Sequence, residues 1–166
     1  MQRPPRARGQ RLLDAGLLAR AYGFLGILEA AAAMAAFFFV LVRGGLRYGE
    51  LIAPQDPLFL VYLQATTACL SAIVVMQVVN VYLCRSDRES VFAAGLWSNR
   101  LILFGIGAEV VLILTIDYTR WGNELFGTAP IDLQSWLFVV PFAVGMLALE
   151  ELRKYFARHF INWPHR

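Results

Sequence analysis

Four long apolar runs separated by short polar stretches dominate the chain, over residues 21–42, 58–84, 101–118 and 133–152. A helix needs about 20 apolar residues to cross a hydrocarbon core, so each run predicts a membrane-spanning helix. The second is long enough to tilt or to project beyond the lipid. Residues at the ends of the runs mark the same bounds. Asp56 and Pro57 place a capping side chain ahead of a proline, Asn99 and Asp132 stand before the third and fourth runs, and Gly44-Gly45 follows the first. Ser86 and Glu89 have capping-box spacing and predict a short amphipathic turn over 87–94. There is no internal repeat and no low-complexity linker. The expected fold is an all-α membrane protein, a bundle of four transmembrane helices. A basic N-terminal segment (1–20) precedes the four-helix domain (21–158), and a short tail (159–166) follows it.

Composition agrees with that class. Hydrophobic residues make up 58% of the chain, charged residues 16%, and the mean hydropathy is +0.56, whereas soluble domains are about 45–50% apolar. The net charge of +3 does not point to nucleic acid, because the arginines lie between apolar runs. Their distribution reads as topology. Twelve of the 15 lysines and arginines fall in the N-terminal segment, the 85–100 loop or the C-terminal end, whereas Arg43, Arg47 and Arg120 fall in the other two loops. The positive-inside rule then places both termini and the middle loop in the cytoplasm of a multi-pass protein. The first run is too long for a signal-peptide core, and no small-residue cleavage site follows it.

The informative side chains are polar ones at membrane depth, which are costly there and face protein or a water-filled cavity. Glu29 lies about two turns into the first run and shares a face with Gly26, Ala30 and Ala33. Small residues on that face predict close approach of another helix, with Phe37–Phe39 turned toward lipid. Gln77 and Asn80 share a face of the second helix, with Ser71 and Thr67 continuing a polar track toward the other end. Glu109 sits near the middle of the third helix, one turn after Gly105. For Glu29, Gln77, Asn80 and Glu109 two readings stand: oxygen ligands or proton carriers on an ion path, or hydrogen bonds between helices. Glu150-Glu151 and Arg153-Lys154 read as a solvated or headgroup-level salt bridge. Cys69 and Cys84 are too far apart along one helix to bridge, although Cys84 stands where palmitoylation is possible. His159 and His165 have no partner at metal-ligand spacing.

Taken in order, "ARAYGFLGILEA", "QATTACLSAIVVMQVVNVYLCRSDRESVF", "NRLILFGIGAEVVLILTIDY" and "ALEELRKYFAR" resemble the last four membrane helices of type II P-type cation ATPases, over about residues 20–158. The resemblance implies the support domain formed by the seventh to tenth helices of a pump. It implies that Gln77 stands where calcium pumps have glutamate and sodium/potassium pumps glutamine. Asn80 stands where sodium/potassium pumps have aspartate and calcium pumps asparagine. Glu109 matches a carboxylate near the third sodium site, and Glu29 a glutamine of the seventh helix. The mixture fits no single ion, and the missing aspartate at position 80 puts the third sodium site in doubt.

The family phosphorylates an aspartate in a DKTGT motif, and these 166 residues contain neither that motif, nor TGE, nor the proline-broken PEGL helix. The chain by itself is therefore expected to be non-catalytic and to bind no cofactor, with Mg-ATP entering only through a complementary pump polypeptide. Three functions follow. The first is a C-terminal membrane support domain that lends Gln77, Asn80, Glu109 and, more weakly, Glu29 to a shared cation site. The second is an autonomous four-helix binding or regulatory protein, or a non-functional pump remnant. The third, a small cation channel, is disfavoured because no helix is polar along its whole length. The expected partners are the rest of a P-type ATPase and membrane lipid.

Overall fold

The computed structural model describes residues 15–49, 52–85, 90–95, 97 and 99–159. Among these residues every regular element is helical. The four long helices are α1 (Ala15–Arg43), α2 (Leu58–Leu83), α4 (Arg100–Tyr118) and α6 (Leu133–His159), each apolar and long enough to cross a membrane. Two short helices, α3 (Val91–Ala94) and α5 (Arg120–Phe126), lie in the connections.

The caps are where the sequence puts them. Asp56 Oδ1 accepts from the Leu58 amide at 2.8 Å, Asn99 Oδ1 from Leu101 at 3.0 Å, and Asp132 Oδ1 from Ser135 at 3.0 Å. Each satisfies a backbone donor that has no partner within its own helix. Ser90 caps α3 through the Phe92 amide, whereas the Ser86–Glu89 capping box lies outside the described residues. Gly44-Gly45 ends α1. Gly45 has φ +80°, and a Cβ on Gly44 would collide with the Val61 side chain, so both positions call for glycine.

Two helices outrun the apolar pattern. α1 begins at Ala15, and its Ala19–Leu25 stretch takes the wider π turn, closed by the Gly26 amide on the Ala21 carbonyl. α6 continues to His159, with Glu150 and Lys154 of its charged end buried against neighbouring elements, as described below.

Alanines set the packing. Ala32, Ala33 and Ala36 of α1 and Ala65, Ala68 and Ala72 of α2 are all buried, so these two helices run against each other with little side chain between them. α6 closes over the pair. Met146 joins Ala32 and Met76 in one core, and Val139 joins Ala33, Ala36, Ala68 and Ala72 in another. The expectation that Phe37–Phe39 face lipid holds for Phe38 alone. Phe39 stacks on Phe138 of α6 with centroids 4.1 Å apart, and Phe37 packs on the core of Leu41, Leu46 and Ala65. The α1–α2 seam is so thin that bulky neighbours are needed to fill the space beside it. α4 stands at the side of the bundle, meeting α2 and α5, and exposes Leu101, Phe104, Val111 and Leu112.

Candidate functional site

Glu29 and Gln77 meet. The Gln77 amide donates to Glu29 Oε1 at 2.7 Å, joining α1 to α2. Both line an open groove of about 480 Å³ together with Gly26, Ala30, Ala33 and Asn80. The shared face of Gly26, Glu29, Ala30 and Ala33 is therefore real, but its use is divided. Ala33 is buried where the groove meets the seam, whereas Gly26 and Ala30 line its more open part.

The hydrogen bonds fix which atoms the groove offers. Gln77 spends its NH₂ on Glu29, which leaves its carbonyl oxygen as the acceptor not engaged in that bond. Asn80 is turned the other way: its Oδ1 accepts the Cys84 thiol at 3.3 Å, back along its own helix. Oxygen donation from Asn80 to a ligand in the groove thus requires the Cys84 contact to open or be shared. The arrangement offers one carboxylate and one amide oxygen at membrane depth, next to small residues that make room for a partner.

Glu109 does not line this groove. It is half-buried on α4, and among the described residues it makes no hydrogen bond or ion pair. The described residues hold no group of three His, Cys, Asp or Glu at metal-binding spacing, and both cysteines are free thiols.

Two of the four C-terminal charges in Glu150-Glu151 and Arg153-Lys154 are shut off from solvent. Glu150 and Lys154 are fully buried. Glu150 Oε1 accepts from Arg20 at 2.6 Å and from Arg153 at 2.8 Å, and Oε2 accepts from Arg153 at 2.9 Å. Arg20 also donates to the Leu83 carbonyl at the end of α2. Glu151 takes the Val91 amide at 3.1 Å and the Lys154 ammonium at 3.3 Å. The correction has a clear physical reason. The Arg20 guanidinium from α1 and the Val91 amide at the start of α3 come close enough to replace water around these carboxylates, which burial otherwise forbids. At the opposite end Arg43 pairs with Asp132 at 2.6 Å.

A further carboxylate escaped sequence reasoning. Asp117, in the last turn of α4, is fully buried and accepts from the Ser71 hydroxyl of α2 at 2.7 Å. The polar track expected from Ser71 and Thr67 ends here, not in the groove. Thr67 donates to the Leu63 carbonyl and accepts from the Ala129 amide at 2.9 Å. The available signal was a lone acid inside the apolar run "LILTIDY".

The profile described as "Cation transporting ATPase, C-terminus" matches residues 1–156. The chain belongs to this family. Among its relatives, the sodium/potassium-transporting ATPase alpha subunit of Drosophila melanogaster is 26% identical over 181 residues, covering 95% of the chain and 17% of that protein. The alpha-4 subunit of Homo sapiens is 25% identical over 189 residues, covering 100% of the chain and 18% of the relative. A probable cation-transporting ATPase F of Mycobacterium tuberculosis is 31% identical over 147 residues, covering 88% and 14% respectively. The chain thus spans less than a fifth of the length of these relatives. As a member of this family it corresponds to the C-terminal region of cation-transporting ATPases, and it has four helices long and apolar enough to cross a membrane.

Proposed function

We propose that this domain serves a P-type cation pump by supporting its membrane half and by presenting Glu29 and Gln77 to a cation site completed by the pump's other helices. The observation that carries the reading is the Glu29–Gln77 pair, bonded across the α1–α2 seam while bordering an accessible groove. A purely structural pair needs no groove. Asn80, on the same wall, is a reserve ligand held by Cys84, and Glu109 belongs to a separate part of the surface, on α4. The partners are the remaining helices and cytoplasmic domains of a P-type ATPase, and phosphoryl transfer from Mg-ATP takes place there. The 166-residue chain alone carries no phosphorylatable aspartate motif and is expected to form no phosphoenzyme. In this reading both termini lie on the cytoplasmic side, a placement that the distribution of basic residues supports.

The test is cation-dependent phosphorylation of the domain assembled with the rest of a pump. Gln77→Ala and Glu29→Gln are each expected to weaken apparent cation affinity by about 10- to 150-fold, one lost charge-assisted contact being worth about 1.5–3 kcal/mol, while assembly persists. If both variants assemble less well and the affinity of the assembled fraction is unchanged, the pair is structural only.

A further inference from the structure

Asp117 lies outside the groove and has no part in the function proposed above. Its side chain is fully buried, its Oδ2 accepts from Ser71, and its Oδ1 has no partner. The charged groups of the surrounding elements are engaged elsewhere. On α5, Arg120 pairs with Glu124 at 2.7 Å in solvent. In the segment leading to α6, Asp132 is held by Arg43 and Ser135. On α4 itself the Tyr118 hydroxyl donates to the Ile131 carbonyl, and Glu109 is two turns away. On α2 the groups near this level are hydroxyls: Ser71, bonded to Asp117, and Thr67, bonded to Leu63 and Ala129. Tyr62, Cys69 and Tyr82, the other titratable residues of α2, are not basic side chains and offer no cation to a carboxylate.

A buried carboxylate needs a cation or two to three donors to replace water, and one hydroxyl does not suffice. A carboxylic acid needs less. With a hydrogen on Oδ2 the 2.7 Å contact runs in the opposite direction, from Asp117 to Ser71 Oγ, and Oδ1 becomes an uncharged carbonyl oxygen. Serine serves either direction, because its hydroxyl both donates and accepts. From this geometry we infer that Asp117 is a proton-binding site, occupied when α4 is packed on α2. The proton is taken from water, forms the O–H bond of the acid, and returns to water when α4 separates from α2; no other bond is made or broken. Closure of α4 on the bundle is thereby tied to proton uptake, at a site distinct from the Glu29–Gln77 groove.

Infrared difference spectra of the full chain in phosphatidylcholine vesicles test this at neutral pH. Subtracting Asp117→Asn from wild type is expected to reveal a C=O band of a protonated carboxylic acid. Ser71→Ala is expected to shift that band through loss of its hydrogen bond and to speed its exchange in D₂O by tenfold or more. A difference spectrum that shows a carboxylate band instead overturns the inference. So does an acid band indifferent to Ser71→Ala. Should Asp117→Asn fail to fold, the Ser71→Ala spectrum and its exchange rate decide alone.

Discussion

Two ion pairs show how burial decides what one residue is worth. Arg120 and Glu124 are spaced i,i+4 at 2.7 Å, yet their side chains are 87% and 64% exposed. Such a pair is worth under about 1 kcal/mol, because water solvates each partner nearly as well. Glu150 has no exposure and is shared by Arg20, from α1, and Arg153. Removing one member of a buried set leaves charge behind without its counter-charge, at a cost of about 3–5 kcal/mol. Glu150→Ala should therefore lower unfolding stability in detergent by that amount, and Glu124→Ala by less than about a third of it. Equal effects would mean that the Glu150 network is hydrated. Sequence alone could not rank the two pairs. Both look like charges at the end of a helix, and what separates them is Arg20, 130 positions from Glu150. For the same reason the Glu29 environment was only half legible. The small-residue face is local, whereas the choice of Gln77 as partner depends on how α1 and α2 register.

At the scale of elements, caps and spans were legible because their causes lie within a few residues. Asp132 capping α6 through Ser135 is the plainest case, and the same carboxyl also receives Arg43 from the end of α1. Its hydrogen bonds from Ser135 and, behind them, the Arg43 guanidinium hold it below the ordinary aspartate value of 3.8. The sign follows from the ionised form being favoured in the folded state. The contribution is complete above that ordinary value and is lost as pH falls through the lowered one. Thermal unfolding followed from pH 6 into the acid range should thus show a drop in Tm that is smaller in Asp132→Asn. Asparagine still caps the helix but neither titrates nor pairs with Arg43. An identical acid profile in the two proteins would remove Asp132 from the account. What the pattern did not disclose was the length of α1 and α6. Hydropathy ends where charge begins, and it takes no account of charges that another element will cover.

For the whole molecule, the bundle has two ends that can be told apart chemically. One carries the Arg20–Glu150–Arg153 and Glu151–Lys154 contacts, the other the Arg43–Asp132 pair. Three exposed aromatic residues sample both ends: Trp97 in the 85–100 loop, Tyr48 after α1 and Trp121 after α4, at 80%, 76% and 85% exposure. By the positive-inside rule, the 12-to-3 division of lysines and arginines predicts Trp97 inside and the other two outside. In a background with Cys69 and Cys84 replaced by alanine, Tyr48→Cys and Trp121→Cys should react with a membrane-impermeant maleimide in intact cells, and Trp97→Cys only after the membrane is opened. The three sites are well suited to the comparison because their exposure is similar, so a difference in labelling reports sidedness and not burial. Labelling of Trp97→Cys alone in intact cells would invert the domain. The Glu29 groove would then open nearer the outer face, and the assignment of this bundle to the closing helices of a pump with cytoplasmic catalytic domains would fail with it.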